Sequence, residues 1–293
     1  LRTVTGVQTC ALPICATYGT ATTLATSGGS GSGAVTYTKI SGSCTLGGTN
    51  NATLTPSGAG SCVVTATKAA DDQYAARNTS DTTINISKAA QSTALTLSTS
   101  TVVYGQTLTL SGSGGDGDGT VSYSKASGTC SLVGATLTPG DAGSNCQVQI
   151  TRAESANYEA QTSSAIIISI SRATPTLGSL SLPSDKVFGD AAFSLSNPTA
   201  TYNGSAVAGA WGYASALTSV ATFSGATATI AGAGSSTITA TFTPTDTTNY
   251  NTTSVTATLS VSQSTPTFTW SNVSATYGDA DRKSTRLNSS HRT

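Results

Sequence analysis

The chain contains 293 residues, with 13 basic and 13 acidic side chains and a formal net charge of zero. Charged residues make up only 9% of it, against about 25% in a typical soluble domain. This composition argues against a charge-rich disordered chain and against a basic surface for nucleic acid. The apolar runs, such as Ala165–Ile168, are too short to predict a membrane span.

The two ends of the chain are related to each other through DNA. The tail at 281–291 reads DRKSTRLNSSH, and the reverse complement of one back-translation of it encodes VTGVQTCALPI, the head at 4–14. This nucleotide string resembles a common short-read sequencing adapter. We therefore expect residues 1–15 and 281–293, which include the single histidine, to be adapter-derived rather than native. Without them, 8 basic residues (13 − 5) face 12 acidic residues (13 − 1), a net charge of −4.

The native part contains an internal repeat with two landmarks. An aromatic-glycine pair recurs with 86, 84 and 89 residues between successive glycines, and a tyrosine follows the first three aromatic residues after 56, 54 and 62 residues. The pairs are Tyr18-Gly19, Tyr104-Gly105, Phe188-Gly189 and Tyr277-Gly278, and the later tyrosines are Tyr74, Tyr158 and Tyr250. Since the landmarks recur while their spacing varies, the insertions are predicted to lie in loops of one shared fold.

Each repeat contains a strand in which inward and outward residues alternate. The inward sets are Cys62, Val64 and Ala66; Cys146, Val148 and Ile150; and Ser236, Ile238, Ala240 and Phe242. Alternation with one polar face is typical of half-buried antiparallel strands, and no sustained helical period occurs. The predicted fold class is therefore all-β, with tandem immunoglobulin-like β-sandwich repeats arranged as beads on a string.

The landmarks divide the native part into repeats at 16–88, 89–172 and 173–263. The first repeat is expected to lack its opening strand, which Thr93–Leu97 supplies to the second. Residues 264–280 are predicted to form the opening strand of a truncated fourth repeat. The only partners predicted for each repeat within this chain are its neighbouring repeats.

Two cysteines occur in each of the first two repeats. The third repeat has Ala221 and Ser236 at the equivalent positions, so both cysteines are absent together, as expected of a covalent pair. Zinc would need four ligands where each repeat offers two cysteines and no histidine, and free buried thiols are the other alternative. We predict disulfides at adjacent strand ends and hence an exported protein in an oxidising compartment. The predicted pairs are Cys44 with Cys62 and Cys130 with Cys146.

A short acidic loop is the one calcium candidate. Asp116 and Asp118 alternate with glycines as in the start of a calcium loop, but the twelfth position, which should be acidic, is Ser127. A hairpin tip is the favoured interpretation, and calcium binding stays open. The landmark tyrosines could line a sugar site, but their recurrence in every repeat favours a structural role in anchoring a loop.

Aromatic residues on an early strand of the third repeat are the remaining candidates for ligand binding. Trp211 and Tyr213 are expected to be core residues, with a ligand platform as the alternative. No histidine remains in the native part to activate a nucleophile, and no pair of acids recurs. We therefore expect no enzyme activity, no cofactor and no metal site.

Two sequence segments resemble a known group of repeats. FTPTDTTNYNTT at 242–253 and the YGD motif at 277–279 resemble bacterial extracellular Ig-like repeats and the related glycine-rich, mostly-β (MBG-type) repeats of adhesin-like surface proteins. The resemblance covers most of residues 16–280 and implies a stalk or spacer at the cell surface or outside the cell. The alternative function is a module of an adhesin or secreted hydrolase that binds a surface glycan or a protein.

Overall fold

The computed structural model describes residues 15–269. The predictions for the adapter-derived ends, apart from residue 15, and for the fourth repeat beyond residue 269 lie outside the described residues. Within them the regular structure is all β-strand, apart from one 3-10 turn at Thr49–Asn51. The all-β prediction is confirmed. No helix in this part of the chain is long and apolar enough to cross a membrane.

The first repeat forms two sheets. Its strands are β1 (Cys15–Thr17), β2 (Thr22–Thr23), β3 (Val35–Gly42), β4 (Cys44–Gly47), β5 (Thr53–Pro56), β6 (Gly60–Lys68), β7 (Arg77–Asn78) and β8 (Thr82–Ser87). One sheet has the order β1-β8-β6-β3, with β7 paired to the end of β6, and the other has the order β2-β5-β4.

The second repeat has the same plan with an added opening strand. Its strands are β9 (Thr96–Leu97), β10 (Thr101–Val103), β11 (Leu108–Thr109), β12 (Gly112–Ser113), β13 (Val121–Gly128), β14 (Ser131–Val133), β15 (Thr136–Thr138), β16 (Cys146–Arg152), β17 (Gln161–Thr162) and β18 (Ile166–Ser171). The order β10-β18-β16-β13, with β17 on β16, faces the order β11-β15-β14, and β9 pairs with β12.

The third repeat repeats this plan and adds a hairpin. Its strands are β19 (Thr176–Leu177), β20 (Lys186–Val187), β21 (Phe193–Ser194), β22 (Ala200–Tyr202), β23 (Ser205–Ala206), β24 (Gly209–Ser215), β25 (Ala221–Ser224), β26 (Thr227–Ile230), β27 (Gly234–Pro244) and β28 (Thr253–Ser262). The sheets have the orders β20-β28-β27-β24, β21-β26-β25 and β19-β22-β23.

One parallel pair recurs in every repeat and places the first landmark. Strands β1, β10 and β20 each lie parallel to the last strand of their repeat, β8, β18 and β28. The aromatic residue that follows donates its backbone N–H to the last strand's terminal serine, at 3.0 Å for Tyr18 and 2.9 Å for both Tyr104 and Phe188. The next residue has φ between 74° and 98° in all three repeats, a conformation that explains the glycine.

The core of each of the first two repeats lies between its two sheets. In the first repeat, Leu54 of one sheet packs in a single buried cluster with Val64 and Ile84 of the other. In the second repeat, Leu137 and Ile168 are equivalent members of the buried cluster. Both repeats are therefore β-sandwiches, because each sheet turns its apolar face towards the other.

The described residues divide into two compact units, and the division runs through the third repeat. The first unit takes the residues up to Gly178 together with Thr199–Trp211 and Thr241–Ser254, and the second takes Ser179–Pro198, Gly212–Ala240 and the residues from Val255 onward. The segments at 199–211 and 241–254 belong to the first unit because they contact the second repeat, as described below. The repeat boundaries at 88/89 and 172/173 stay predictions.

Candidate functional site at the junctions between repeats

A disulfide joins Cys44 to Cys62 in the first repeat, and another joins Cys130 to Cys146 in the second. The Cα–Cα distances are 5.8 and 5.6 Å, as a disulfide requires. The expected placement on adjacent strand ends is wrong, because Cys44 begins β4 in one sheet whereas Cys62 lies in β6 of the other. The chain changes sheets between Gly42, which pairs with Cys62, and Cys44. The bonds therefore tie together the two sheets of each sandwich.

The third repeat fills the same position with a hydrogen-bonded serine. Ala221 is fully buried, and Ser236 is only 3% exposed. The Ser236 hydroxyl accepts a hydrogen bond of 2.9 Å from the Leu217 N–H and lies 2.8 Å from the Ser215 hydroxyl. The buried hydroxyl of Ser236 is therefore satisfied by partners near the end of β24, and no bond from it to Ala221 replaces the disulfide.

Asp116 in the acidic loop fastens the opening strand of the second repeat. Its carboxylate accepts hydrogen bonds from the backbone N–H and hydroxyl groups of both Ser92 and Thr93. The Thr93 hydroxyl, followed by the two backbone N–H groups, lowers the pKa of Asp116 to about 2. N–H and O–H donors surround this carboxylate, whereas calcium would need further oxygen ligands there. These hydrogen bonds give Asp116 a structural role, and among the described residues no group of three or more histidine, cysteine or acidic side chains could hold a metal ion.

Trp211 and Tyr213 each pack against another aromatic ring. The Trp211 ring lies 5.1 Å from the ring of Phe242, which is 1% exposed, and the Tyr213 ring stacks on Phe223 at 5.9 Å. The Tyr213 hydroxyl donates to the Asn197 side-chain oxygen at 2.9 Å, and burial raises the pKa of its phenol. Both rings are half-buried, so each has a packing role within the third repeat.

Two of the landmark tyrosines, Tyr158 and Tyr250, join consecutive repeats. Tyr158 of the second repeat packs edge-on against Tyr18 of the first, with ring centroids 5.5 Å apart at an angle of 83°. Tyr250 of the third repeat packs in the same way against Tyr104 of the second, at 5.5 Å and 82°. This is the favoured geometry of an aromatic pair. The role is structural, as expected, but the partner lies in the preceding repeat rather than in the tyrosine's own loop.

An asparagine beside each of these tyrosines adds a hydrogen bond across the junction. The Asn157 side-chain oxygen accepts from the Ala59 N–H at 2.9 Å, and that of Asn249 accepts from the Ala142 N–H at 2.8 Å. Asn249 also donates to Asp141 at 3.0 Å and to Asp246 of its own loop at 2.8 Å. The sequence marks both asparagines as part of the second landmark, directly before its tyrosine, but it does not predict their contact across the junction.

The linker between repeats is held by the same asparagine-tyrosine segment. Ala89 donates its N–H to the Asn157 carbonyl and accepts from the Glu159 N–H, both at 2.9 Å. Ala173 donates to the Asn249 carbonyl at 2.9 Å and accepts from Asn251 at 2.8 Å. We call the recurring set the junction staple. The first staple is Tyr18, Ala59, Ala89, Asn157 and Tyr158, and the second is Tyr104, Ala142, Ala173, Asn249 and Tyr250.

The added hairpin of the third repeat reinforces the second staple. Its turn has Asn203 and Gly204 at φ 48° and 78°, as in the type I′ turns that suit two-residue hairpins. Gln106 of the second repeat donates to the Tyr202 hydroxyl at 3.2 Å and to the Asn203 side chain at 2.8 Å. Asn203 in return donates to the Gly105 carbonyl at 3.0 Å, and the Tyr202 ring lies 5.9 Å from that of Tyr250.

Comparison with known proteins identifies no family for the chain. No protein-family model and no curated protein matches the sequence. The solved structures found include Drosophila N-cadherin EC1-4, with a TM-score of 0.28 and 11% identity over 82% of this chain and 69% of that one. They also include the S-layer protein rSbsC(31-844), at 0.27 and 16% over 79% of this chain and 35% of that one. SGBP-B of the Bacteroides ovatus mixed-linkage glucan utilization locus, in complex with a mixed-linkage heptasaccharide, has a TM-score of 0.17 and 11% identity over 78% of this chain and 60% of that one.

Proposed function

We propose that this chain is a non-catalytic spacer, a series of Ig-like β-sandwich repeats within a secreted or cell-surface bacterial protein of the adhesin-like kind. The junction staple carries this proposal. The same aromatic pair, asparagine bond and linker clip occur at both junctions, although the surrounding loops differ. A contact that recurs between successive repeats fixes the direction in which each repeat follows the last, and a spacer needs this property.

The disulfides support an extracellular setting. Each closes a short loop, with sequence separations of 18 and 16 residues, and bonds of this kind persist in oxidising compartments. They link two sheets in sandwiches of fewer than 90 residues, where the apolar core alone gives limited stability. The bonds therefore suit modules that must stay folded outside the cell.

The alternative, a module that binds a glycan or a protein, needs an accessible platform. Its best candidates were Trp211 and Tyr213, and both rings pack against phenylalanines of the same repeat. The spacer is therefore the better supported function. A glycan-array signal that Trp211→Ala abolishes would replace it with the binding module.

A distance measurement between the first two repeats tests the spacer. Thr38 in β3 and Ser124 in β13 are exposed, equivalent positions 86 residues apart, suited to spin labels carried on non-natural amino acids that leave the disulfides intact. We expect one narrow distance distribution from pulsed electron resonance. A broad distribution in the unaltered chain would contradict a spacer, because the repeats would then be independent.

Matched variants show whether the first staple is the cause of the narrow distance distribution. The double variant Asn157→Ala/Tyr158→Ala should broaden the distribution between the two labels, because it removes both side chains that the second repeat contributes to the first staple. The equivalent variant Asn249→Ala/Tyr250→Ala alters the second staple and should leave this distribution narrow. Circular dichroism of both variants, compared with the unaltered chain, checks that the sandwiches stay folded.

A further inference from the structure

Every staple has two halves, which we name by the segment that docks and not by the direction of the hydrogen bond. The acceptor half receives the asparagine-tyrosine segment, and the donor half contains that segment. The earlier repeat provides the acceptor half, an aromatic ring of the first landmark and the N–H of an alanine, Tyr18 with Ala59 or Tyr104 with Ala142. The later repeat provides the donor half, the asparagine-tyrosine segment. The acceptor residues are half-buried where the donor half covers them.

The third repeat carries the same acceptor half. Phe188 stands in the place of the tyrosine, and its N–H bonds the Ser262 carbonyl at 2.9 Å just as Tyr104 bonds the Ser171 carbonyl at 2.9 Å. Ala233 stands in the place of Ala59, because the glycine after each has a positive φ, 142° and 135°. The backbone therefore presents the same two groups in the same setting.

None of the described residues, 15–269, covers the acceptor half of this repeat. Phe188 is 47% exposed, and Ala233 is exposed as well. With Ala231, Gly232, Gln263 and Ser264 they line an open depression of about 410 Å³. Ser264 occupies the linker position of Ala173, which is fully buried in the second staple, so the part of the linker that clips the donor segment is also present and exposed.

We propose that this depression is a docking surface for the asparagine-tyrosine segment of a further Ig-like repeat joined to the chain just after Ser264. The inference rests on the proposed spacer function and assigns that function a binding surface. Phenylalanine can replace tyrosine there because an edge-to-face aromatic pair needs the ring and not the hydroxyl. Covalent attachment supplies the high local concentration that a contact of this size needs.

An extended chain tests this surface. Residues 265–293 are replaced by a second copy of residues 174–264, so that Ser264 precedes Thr-Pro as Ala173 precedes Thr174-Pro175 in the chain itself. Amide hydrogen exchange is then measured at Ala233 by NMR, in the extended chain and in the full original chain. We expect the Ala233 amide to exchange about tenfold more slowly after extension, the protection given by a net hydrogen bond of about 1.4 kcal/mol.

Two variants assign the protection to the docking surface. Asn249→Ala in the appended copy only, and Phe188→Ala in the third repeat, should each return Ala233 exchange to its rate in the original chain. The Ala142 amide in the same molecules is the internal control, because it belongs to the second staple. Unprotected Ala233 beside a protected Ala142 would overturn the docking surface alone, whereas loss of protection at both would contradict the staple and the spacer with it.

A second copy of the chain is the rival occupant. The Gln73-Tyr74 segment of the first repeat is equivalent to the donor half, and Tyr74 is 49% exposed. Protection of Ala233 in the original chain that rises with protein concentration would identify this contact and overturn the proposal of a covalently joined repeat. Protection that is independent of concentration and present only in the extended chain supports it.

Discussion

The first and second junctions share one staple, but the second shields its asparagine from water more completely. Asn249 is 5% exposed, whereas Asn157 is half-buried. Asp141 accepts a hydrogen bond from Asn249 at 3.0 Å, and Gly58 stands at the equivalent position of the first junction and has no side chain to do so. The comparison teaches that the recurring contact determines where consecutive repeats meet, while the neighbouring side chains determine how strongly each junction is stabilised.

The Asn203-Gly204 hairpin is the second difference between the two junctions. The distance between landmarks is 62 residues in the third repeat, against 56 and 54 in the others. Part of this added length is the turn at Asn203-Gly204, which reaches Gly105 and Gln106 of the preceding repeat. An insertion that the sequence assigns to an ordinary loop is therefore part of the interface.

The largest effect is expected from reducing the disulfides. The first junction lies between two repeats that each contain a disulfide, whereas the second junction has such a repeat on one side only. Loss of each loop closure costs about 3 kcal/mol in the chain-entropy model. Backbone amide hydrogen exchange at Ile84 and Ile168 should accelerate strongly when a reductant is added. Amide exchange at Ile238 of the third repeat should hardly change. Equal acceleration in all three repeats would show that the third depends on the others.

Removing the buried asparagine should have the next largest effect. Asn249→Ala leaves the Ala142 N–H and the Asp141 carboxylate without their partner, at a cost of about 1–3 kcal/mol. Exchange of the Ala142 amide should accelerate by about 10- to 100-fold. The matched variant Asn157→Ala should accelerate Ala59 by about tenfold or less, because water reaches the half-buried site. Equal effects at the two junctions would refute the proposed difference in strength.

The hairpin contact should contribute less. Gln106→Ala removes two hydrogen bonds to the turn, and we expect a loss of about 1 kcal/mol. The readout is exchange of the Val207 amide, which bonds the Ala200 carbonyl at the base of the hairpin. Thr20→Ala at the equivalent position of the first repeat serves as the control and should leave Val207 unchanged. An unaltered Val207 rate in Gln106→Ala would show that the hairpin is stable by itself.

The ion pair of the first junction should contribute least. Lys88 in the linker lies 3.1 Å from Glu154, but the two side chains are 33% and 70% exposed. Exposed pairs contribute roughly 0.2–1 kcal/mol and are screened by salt. Glu154→Gln should therefore change Ala59 exchange only slightly at low ionic strength and not at all at high salt. A large effect that persists in high salt would mean that Glu154 acts through another contact.

The sequence predicted the sandwiches but not the contacts between them, for a physical reason. Alternation in Cys62, Val64 and Ala66 reports burial against the opposite sheet, and all three side chains are buried. The bond from Ala59 to Asn157 spans 98 residues and links two repeats, so no local pattern encodes it. Alternation describes one strand at a time. It therefore also fails to predict the change of sheet that places Cys44 opposite Cys62.

The Asn203-Gly204 hairpin gives the order of the repeats a chemical meaning. Tandem modules of similar sequence are prone to exchange segments and to associate with the wrong neighbour while they fold. The first repeat has Thr20 where the second has Gln106, so the hairpin finds its full set of partners only on the second repeat. We therefore expect this turn to favour assembly with the correct preceding repeat over exchange, a selectivity that would act while the chain folds.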